Sequence, residues 1–264
     1  MKTEKQRLNE KITAKEVITY MESLRNDSQR VILSRFFKTR PGEYGEDDEF
    51  LGLRTPQTRE TVKAISHDIS IDEVPELLMS KWHEVRLCGL LLLVERFRRL
   101  STKNRFYDQE SIGKRDDIVS MYLEYAERAN NWDLVDLTAP KILGQWIMLP
   151  SHLKDKQSII DRLAYSDNLW RQRMSMVCTW MTTDKGDPSW CLRYANIHLH
   201  HPHDLMHKAV GWMLREMGKK ISMDLLRDFL SQHVAHMPRT TLRYAIEKMD
   251  FEERQYWMKI PREK

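Results

Sequence analysis

The stretch HEVRLCGL, at residues 83–90, sets the pattern from which the fold can be predicted. A basic residue, Arg86, opens an apolar run that contains small residues, and the apolar positions recur every three or four residues. The stretches LWRQRMSM at 169–176 and LMHKAVGW at 205–212 have the same pattern. Because this spacing puts side chains on one face of a helix, we predict amphipathic helices that are related to one another.

The related helices form a repeat along the chain. Arg173 and Lys208 occupy the basic position of the second and third stretches, and the segment WDLVDLTAP fits the same frame with Asp136 at that position. Asp136, Arg173 and Lys208 follow one another at intervals of roughly 35 to 37 residues, within the range of stacked helix pairs. The longer interval from Arg86 to Asp136 requires an insertion. We therefore predict an all-α fold, an α-solenoid of HEAT-like helical repeats whose equivalent positions line one concave basic face.

The rest of the chain fits a single helical domain. No sustained alternation of apolar and polar residues and no Asn-Gly or Asp-Gly hairpin signal argues for strands. One segment, about 40–50, combines turn residues with carboxylates, and we expect an exposed loop or an acidic latch there. We predict one repeat domain over residues 1–264, with this loop as an insert and residues 251–264 as a C-terminal tail.

Composition and charge exclude several classes of protein. Nine glycines among 264 residues leave little material for glycine-rich phosphate loops. The net charge of +4 is too small for a polybasic protein, although it is compatible with basic residues segregated onto one surface.

The location of the protein is predicted from three further features. The longest uncharged apolar stretch, residues 87–94, is far shorter than the roughly 20 residues that span a bilayer, so we expect no membrane helix. The first seven residues lack the apolar core of a signal peptide. Three cysteines without CxxC spacing are typical of thiols in a reducing compartment. We expect a cytoplasmic monomer, associated with the nucleoid if the source is a bacterium.

Tryptophans accompany the repeated position. Trp132 precedes Asp136 by four residues and Trp212 follows Lys208 by four, a spacing that shares one helix face. With Arg173, the concave surface would carry a carboxylate, two cations and two indoles. The alternative is that both tryptophans are ordinary core aromatics and that Asp136 is a capping or ion-paired residue.

Such a surface suits a polyanion with planar or sugar groups, because cations bind phosphates while indole faces pack on bases or sugars. The segment 81–105 carries more net positive charge than the whole chain, although a solvated helix face would look the same. A carboxylate would repel a phosphate backbone, so Asp136 is more naturally a catalytic group. These features favour DNA or RNA as the ligand.

Several segments together resemble the AlkD-type DNA alkylation repair glycosylases. The pattern Trp-x-x-x-Asp at 132–136 and the block KAVGWMLRE at 208–216 are fairly specific in combination. The segments LWRQR at 169–173, FFKT at 36–39 and FLGLRTP at 50–56 are also similar, and the resemblance runs in order from about residue 30 to 250. It implies a HEAT-like repeat fold and excision of cationic N3- and N7-alkylated purines from double-stranded DNA, without a metal or redox cofactor.

The resemblance also implies roles for single residues. Asp136 would be the catalytic carboxylate, Trp132 and Trp212 would contact the deoxyribose of the lesion, and Arg173 would hold a backbone phosphate. Phe36 matches a position where some members carry Tyr, so a polar contact from the N-terminal helices is in question. The expected set is listed by role: Asp136, Trp132 and Trp212 for catalysis; Arg173, Lys208, Arg86 and Phe36 for DNA binding.

The chemistry of the lesion agrees with these roles. A purine alkylated at N3 or N7 is already a good leaving group, so the remaining tasks are to stabilise an oxocarbenium-like sugar and to supply water. Indole faces attract a sugar more strongly as positive charge develops on it. The resemblance further implies that the lesion can stay in the duplex, unlike a flipped base.

Two alternatives remain. A HEAT-like DNA-binding or protein scaffold could keep the fold and have lost catalysis, which Phe36 makes worth considering. The histidines at 198–207 could suggest a metal, but only His203 and His207 have helical ligand spacing, and no Cys or carboxylate set completes a site. We therefore predict no metal site and a polar turn between helices.

Overall fold

The computed structural model describes residues 11–262, and helices dominate this range. No strand occurs within it, only two isolated bridges that join Ile12 to Ile69 and Glu49 to Trp82. The predicted all-α class is confirmed, and the succession of helices agrees with a solenoid of helical repeats. None of the described helices is long and apolar enough to cross a membrane.

The α-helices are numbered here in chain order. They are α1 Ala14–Ser23, α2 Asp27–Phe36, α3 Thr55–Ile65, α4 Val74–Met79, α5 His83–Leu100, α6 Gln109–Glu124, α7 Trp132–Thr138, α8 Gln145–Met148, α9 Lys156–Ala164, α10 Leu169–Val177, α11 Thr179–Asp184, α12 Ser189–His198, α13 Asp204–Lys220, α14 Met223–His233, α15 Arg239–Ala245 and α16 Phe251–Lys259.

Helix α16 occupies most of the segment that was expected to be a C-terminal tail. The Asp250 side chain caps it by accepting a hydrogen bond from the backbone N–H of Glu253, and two glutamates lie in its first turn. Both features stabilise a helix N-terminus. The last two residues of the predicted tail lie outside the described range.

The chain divides into two compact units, Met1–Leu134 and Val135–Lys264, and the division falls within α7. In the first unit α5 packs against α3, α4 and α6, and every residue from His83 to Leu93 is buried. In the second unit α13 packs against α10, α11, α12, α14 and α15. One long helix therefore organises each unit, and the single repeat domain stays a prediction.

Two of the four stretches of the repeat frame lie in these long helices, residues 83–90 in α5 and residues 205–212 in α13, and the other two begin α7 and α10. The thiols of Cys88, Cys178 and Cys191 are free and buried, and burial raises the pKa of each. They behave as small apolar side chains of the core.

Gly211 marks a close approach between α13 and α15. A Cβ atom at this position would lie 2.4 Å from the backbone oxygen of Thr241 and 2.5 Å from Cβ of Tyr244. Neither atom is the end of a flexible side chain, so any larger residue would have to push the two helices apart. The glycine before Trp212 is thus explained by packing.

We predict that Gly211→Ala lowers the free energy of unfolding by about 1–3 kcal/mol, because overpacking outweighs the better helix propensity of alanine. Urea unfolding followed by circular dichroism would measure the change. Gly89→Ala is the matched control, since its Cβ would meet only leucine side chains at 3.0 Å or more. A stabilised Gly211→Ala protein would contradict this account of the packing.

Candidate active site

Asp136, on α7, is held by a bidentate ion pair in the second unit. Nε of Arg173 donates to Oδ1 of Asp136 and Nη2 donates to Oδ2, each at 2.8 Å. The Arg173 side chain is only 5% exposed and that of Asp136 is 16% exposed. A fork of two parallel charged hydrogen bonds fixes the plane of the carboxylate as well as its position.

The same arginine contacts the first turn of α13. Nη1 of Arg173 donates to the backbone oxygen of Leu205 at 2.6 Å, and Nδ1 of His203 caps the helix by accepting from the backbone N–H of Leu205 at 3.1 Å. Three of the five N–H groups of Arg173 are therefore used within the protein. The phosphate contact expected of Arg173 stays a prediction.

Lys208 and Trp212 follow on successive turns of α13. Nζ of Lys208 lies 2.8 Å from a carboxylate oxygen of Asp204, and the lysine side chain is 38% exposed. Trp212 is half-buried. The second unit thus joins Asp136 and Arg173 to the first turn of the helix that carries Lys208 and Trp212.

Trp132 belongs to an aromatic cluster in the first unit, which consists of Phe36, Phe37, Phe50 and Trp132. The ring centroid of Trp132 lies 5.4 Å from that of Phe37 and 5.9 Å from that of Phe36. Phe37 stacks on Phe50 at 5.2 Å. Phe36 is 60% exposed, whereas Phe37 and Phe50 are buried. The half-buried indole of Trp132 therefore has a solvent-facing neighbour and a firm support behind it.

Behind this cluster lie four charged residues that the sequence analysis did not single out as a group. We call Asp48, His83, Arg86 and Asp133 the buried quartet. Nδ1 of His83 is 2.7 Å from Oδ2 of Asp48, and Nε2 is 3.0 Å from Oδ2 of Asp133. Nη2 of Arg86 donates to the other oxygen of Asp48. Two cations and two anions balance one another away from solvent.

The charge of His83 follows from this geometry. Burial by itself would lower the pKa of His83, but attraction and hydrogen bonds to Asp133 and Asp48 raise it from 6.5 to about 10. Burial would likewise raise the pKa of Asp48, but His83 and Arg86 hold it below its ordinary value. His83 is therefore an imidazolium at neutral pH.

Arg86 does not lie where it was predicted. Its side chain is 2% exposed, and Nη1 donates to the backbone oxygens of Ser80 at 3.1 Å and Lys81 at 2.7 Å. The expectation of an open, DNA-contacting position is corrected, because its guanidinium neutralises Asp48 inside the protein. Arg86 is therefore not part of the proposed DNA-binding surface.

Other basic residues of the segment 81–105 also serve the fold. Arg96 donates to the backbone oxygen of Ile69, and Arg99 donates to the backbone and side-chain oxygens of Ser66. Arg98 pairs with Glu95 on the same helix. Several of these basic side chains thus form internal hydrogen bonds. The net charge of the segment is therefore larger than the positive charge that it presents at the surface.

The acidic segment 40–50 combines both of its predicted forms. Glu46, Asp47 and Glu49 are exposed, whereas Asp48 is 6% exposed and reaches the buried quartet. The backbone oxygen of Glu49 also accepts from the N–H of His83 at 2.8 Å. One aspartate therefore acts as the latch. In the sequence Asp48 stands between Asp47 and Glu49, so no local pattern distinguishes it from its exposed neighbours.

The histidines that raised the question of a metal make ordinary hydrogen bonds. Nε2 of His201 is 2.7 Å from Oε1 of Gln172, and Nδ1 of His201 accepts from the backbone N–H of His203 at 3.0 Å. His207 contacts the backbone oxygen of His201. Among residues 11–262 no group of three or more metal-binding side chains occurs.

Comparisons with known proteins add a family. The model of a family described as DNA alkylation repair enzyme matches residues 17–249. No curated protein sequence matches the chain. A solved structure, described as a predicted DNA alkylation repair enzyme from Enterococcus faecalis, shares 16% sequence identity with a TM-score of 0.65; the match covers 86% of this chain and 97% of that one. At this identity the structural likeness shows the fold alone.

We predict that stability falls as the pH rises from about 6.5 to about 8.5 because of His83. Its folded pKa of about 10 exceeds the ordinary 6.5, so its stabilising contribution is complete below 6.5 and is lost progressively towards pH 10. Urea unfolding at several pH values would measure the slope. His83→Gln should remove this part of the slope, and an equal slope in both proteins would contradict the assignment.

Proposed function

The chain belongs to the DNA alkylation repair enzymes, whose family model matches residues 17–249, and on that premise we propose that it is a monofunctional DNA glycosylase. Its substrate would be double-stranded DNA with cationic N3- or N7-alkylated purines, such as 3-methyladenine and 7-methylguanine. The reaction is hydrolysis of the N-glycosidic bond. The observation that carries the proposal is Asp136, a carboxylate kept in one orientation by Arg173.

An oriented carboxylate supplies what this reaction needs. The alkylated base carries a positive charge and leaves without protonation, so the barrier lies in the charge that develops on the sugar. A fixed anion stabilises that charge without reorganising as the bond breaks. Asp136 would also orient the attacking water. The guanidinium of Arg173 partly neutralises Asp136 in the resting enzyme, and its main task would be to orient the carboxylate.

The indoles would add a second attraction to the sugar. Trp132 and Trp212 are both half-buried, so each keeps part of its ring accessible. An indole face attracts a cationic sugar more strongly than a neutral one, which favours the transition state over the bound substrate. Phe36, 60% exposed beside Trp132, would contact DNA through an apolar ring without a hydroxyl group. Lys208 would bind a backbone phosphate.

We further propose that the enzyme works as a cytoplasmic monomer and leaves the lesion in the duplex. Excision of an intrinsically labile cationic base needs no base-specific pocket. A site whose groups act on the sugar is sufficient for this reaction. The alternative, a DNA-binding or protein scaffold without catalysis, keeps the same fold. The bidentate pair at Asp136 favours the enzyme, because an ion pair with so little exposed surface contributes little to DNA affinity.

The proposal is tested by release of 7-methylguanine or 3-methyladenine from methylated duplex DNA. We predict release by the parent protein, and Asp136→Asn should lower the single-turnover rate by roughly 10²- to 10³-fold, since it removes the charge that stabilises the sugar. Asp161→Asn, which changes an ion-paired aspartate of the second unit, is the control and should retain the parent rate. A parent that releases no base above the spontaneous rate would reject the enzyme in favour of the scaffold.

Arg173 and Lys208 should differ in what they affect. Lys208→Ala is expected to weaken binding of unmodified DNA and to reduce the salt slope by about 1, as the loss of one phosphate contact requires. Arg173→Ala is expected to reduce the salt slope as well, through the phosphate contact proposed for Arg173, and in addition to lower the excision rate, because Arg173 also orients Asp136. Affinity titrations at several salt concentrations, with single-turnover assays, separate the two. An unchanged slope for Arg173→Ala would reject the phosphate contact and leave Arg173 only the orientation of Asp136.

A further inference from the structure

We propose that the buried quartet of Asp48, His83, Arg86 and Asp133 is a set of positioning residues for Trp132. It would hold the indole in the orientation in which it meets the deoxyribose. This inference rests on the proposed function for its role in catalysis, while the coupling between the quartet and the indole can be tested without activity.

The bridge between the two aspartates depends on the charge state of His83. A carboxylate is only an acceptor, so each ring nitrogen of His83 must carry a hydrogen to bond both Asp48 and Asp133. Only the imidazolium form has two such donors. Loss of one proton would break one of the two bonds and leave a buried carboxylate without that donor.

The buried quartet is connected to the backbone of Trp132 on both sides. Asp133 follows Trp132 directly, so the bond from His83 holds the first turn of α7 from one side. On the other side, Oδ1 of Asn131 accepts from the backbone N–H of Trp132 at 2.9 Å, and Nδ2 of Asn131 points to Asp48 at 3.5 Å. Both neighbours of Trp132 are therefore tied to the quartet.

The buried quartet is also connected to the indole ring of Trp132. The imidazolium of His83 stacks on Phe50 with centroids 4.5 Å apart and lies 5.1 Å from Phe37. Phe37 contacts the indole of Trp132 at 5.4 Å. A displacement of the imidazolium would thus reach the indole through the aromatic cluster as well as through α7.

The remaining contacts hold the quartet itself in place. The carboxylate of Glu84 accepts hydrogen bonds from the backbone N–H groups of residues 51–53 at 2.9 to 3.0 Å, which secures the chain after Asp48. Arg128 donates to the backbone oxygens of Leu78 and Ser80 and adds a positive charge near Arg86 and Asp48.

Burial of four charges is costly, and an apolar set of similar volume would serve stability as well or better. Fixed directional bonds, by contrast, define one orientation of the helix start. Such an arrangement is of use where the angle of one side chain matters, and Trp132 is the half-buried indole to which these bonds lead.

The test uses Asp133→Asn in the full-length protein. With one anion removed, His83 keeps Asp48 as its single carboxylate partner, and its proton should be lost within the accessible pH range. The parent should excise at a rate independent of pH between about 6 and about 8.5. The variant should match the parent at low pH and then slow by up to about tenfold per pH unit once the proton is lost. DNA affinity should stay within about twofold of the parent.

A second readout does not require activity. With 5-fluorotryptophan incorporated and the Trp132 resonance identified by Trp132→Phe, the ¹⁹F signal should shift with pH in Asp133→Asn and stay constant in the parent. The control Asp161→Asn should behave as the parent in both readouts. Asn131→Ala, a milder change, should broaden the signal and slow excision at every pH.

The outcomes separate the two proposals. A parent without excision, combined with a pH-dependent Trp132 signal in Asp133→Asn, would reject the glycosylase and retain the coupling. Active parent and variant proteins with flat pH profiles and an unmoved signal would overturn the positioning role. If Asp133→Asn does not fold, an unchanged signal and rate in Asn131→Ala would overturn it equally.

Discussion

A buried carboxylate must have a cation or several donors beside it, and the first unit is arranged around that requirement. Asp48 is satisfied by His83 and Arg86, and His83 in turn is satisfied by Asp133. These contacts draw together the acidic segment, the start of α5 and the start of α7, which are far apart in the sequence. The aromatic cluster then packs on the imidazolium face. The contacts that compensate these charges thus help to fix the position of Trp132.

The second unit satisfies its carboxylate differently. Asp136 forms a bidentate pair with Arg173, and Arg173 also donates to the backbone of α13. The carboxylate of Asp136 is partly exposed, whereas that of Asp48 is wholly enclosed. The difference matters chemically, because an enclosed carboxylate can only support the fold, while a partly exposed one can meet a ligand. Both aspartates pair with arginines, and accessibility distinguishes their proposed roles.

The number of basic residues in a segment does not show how much positive charge lies at the surface. The segment 81–105 counts as strongly basic, yet Arg86, Arg96 and Arg99 direct their guanidinium groups to internal acceptors. Lys208, by contrast, remains accessible beside Asp204. A count along the chain registers charge but not direction, and a long side chain can turn either way from the same helix position. A count of acidic residues likewise does not show that Asp48 is buried while Asp47 and Glu49 are exposed.

The sequence by itself determined the helical class, the repeated frame and the pairing of Trp132 with Asp136 on one helix, since periods of three and four residues are local properties of the backbone. It also contained the blocks that match the DNA alkylation repair family. The tertiary structure alone decided that Arg173 binds Asp136, that Arg86 is internal, and that His83 bridges two aspartates. Those pairings join residues 35 to 50 positions apart. Such distant contacts depend on how the helices pack, which no local pattern encodes.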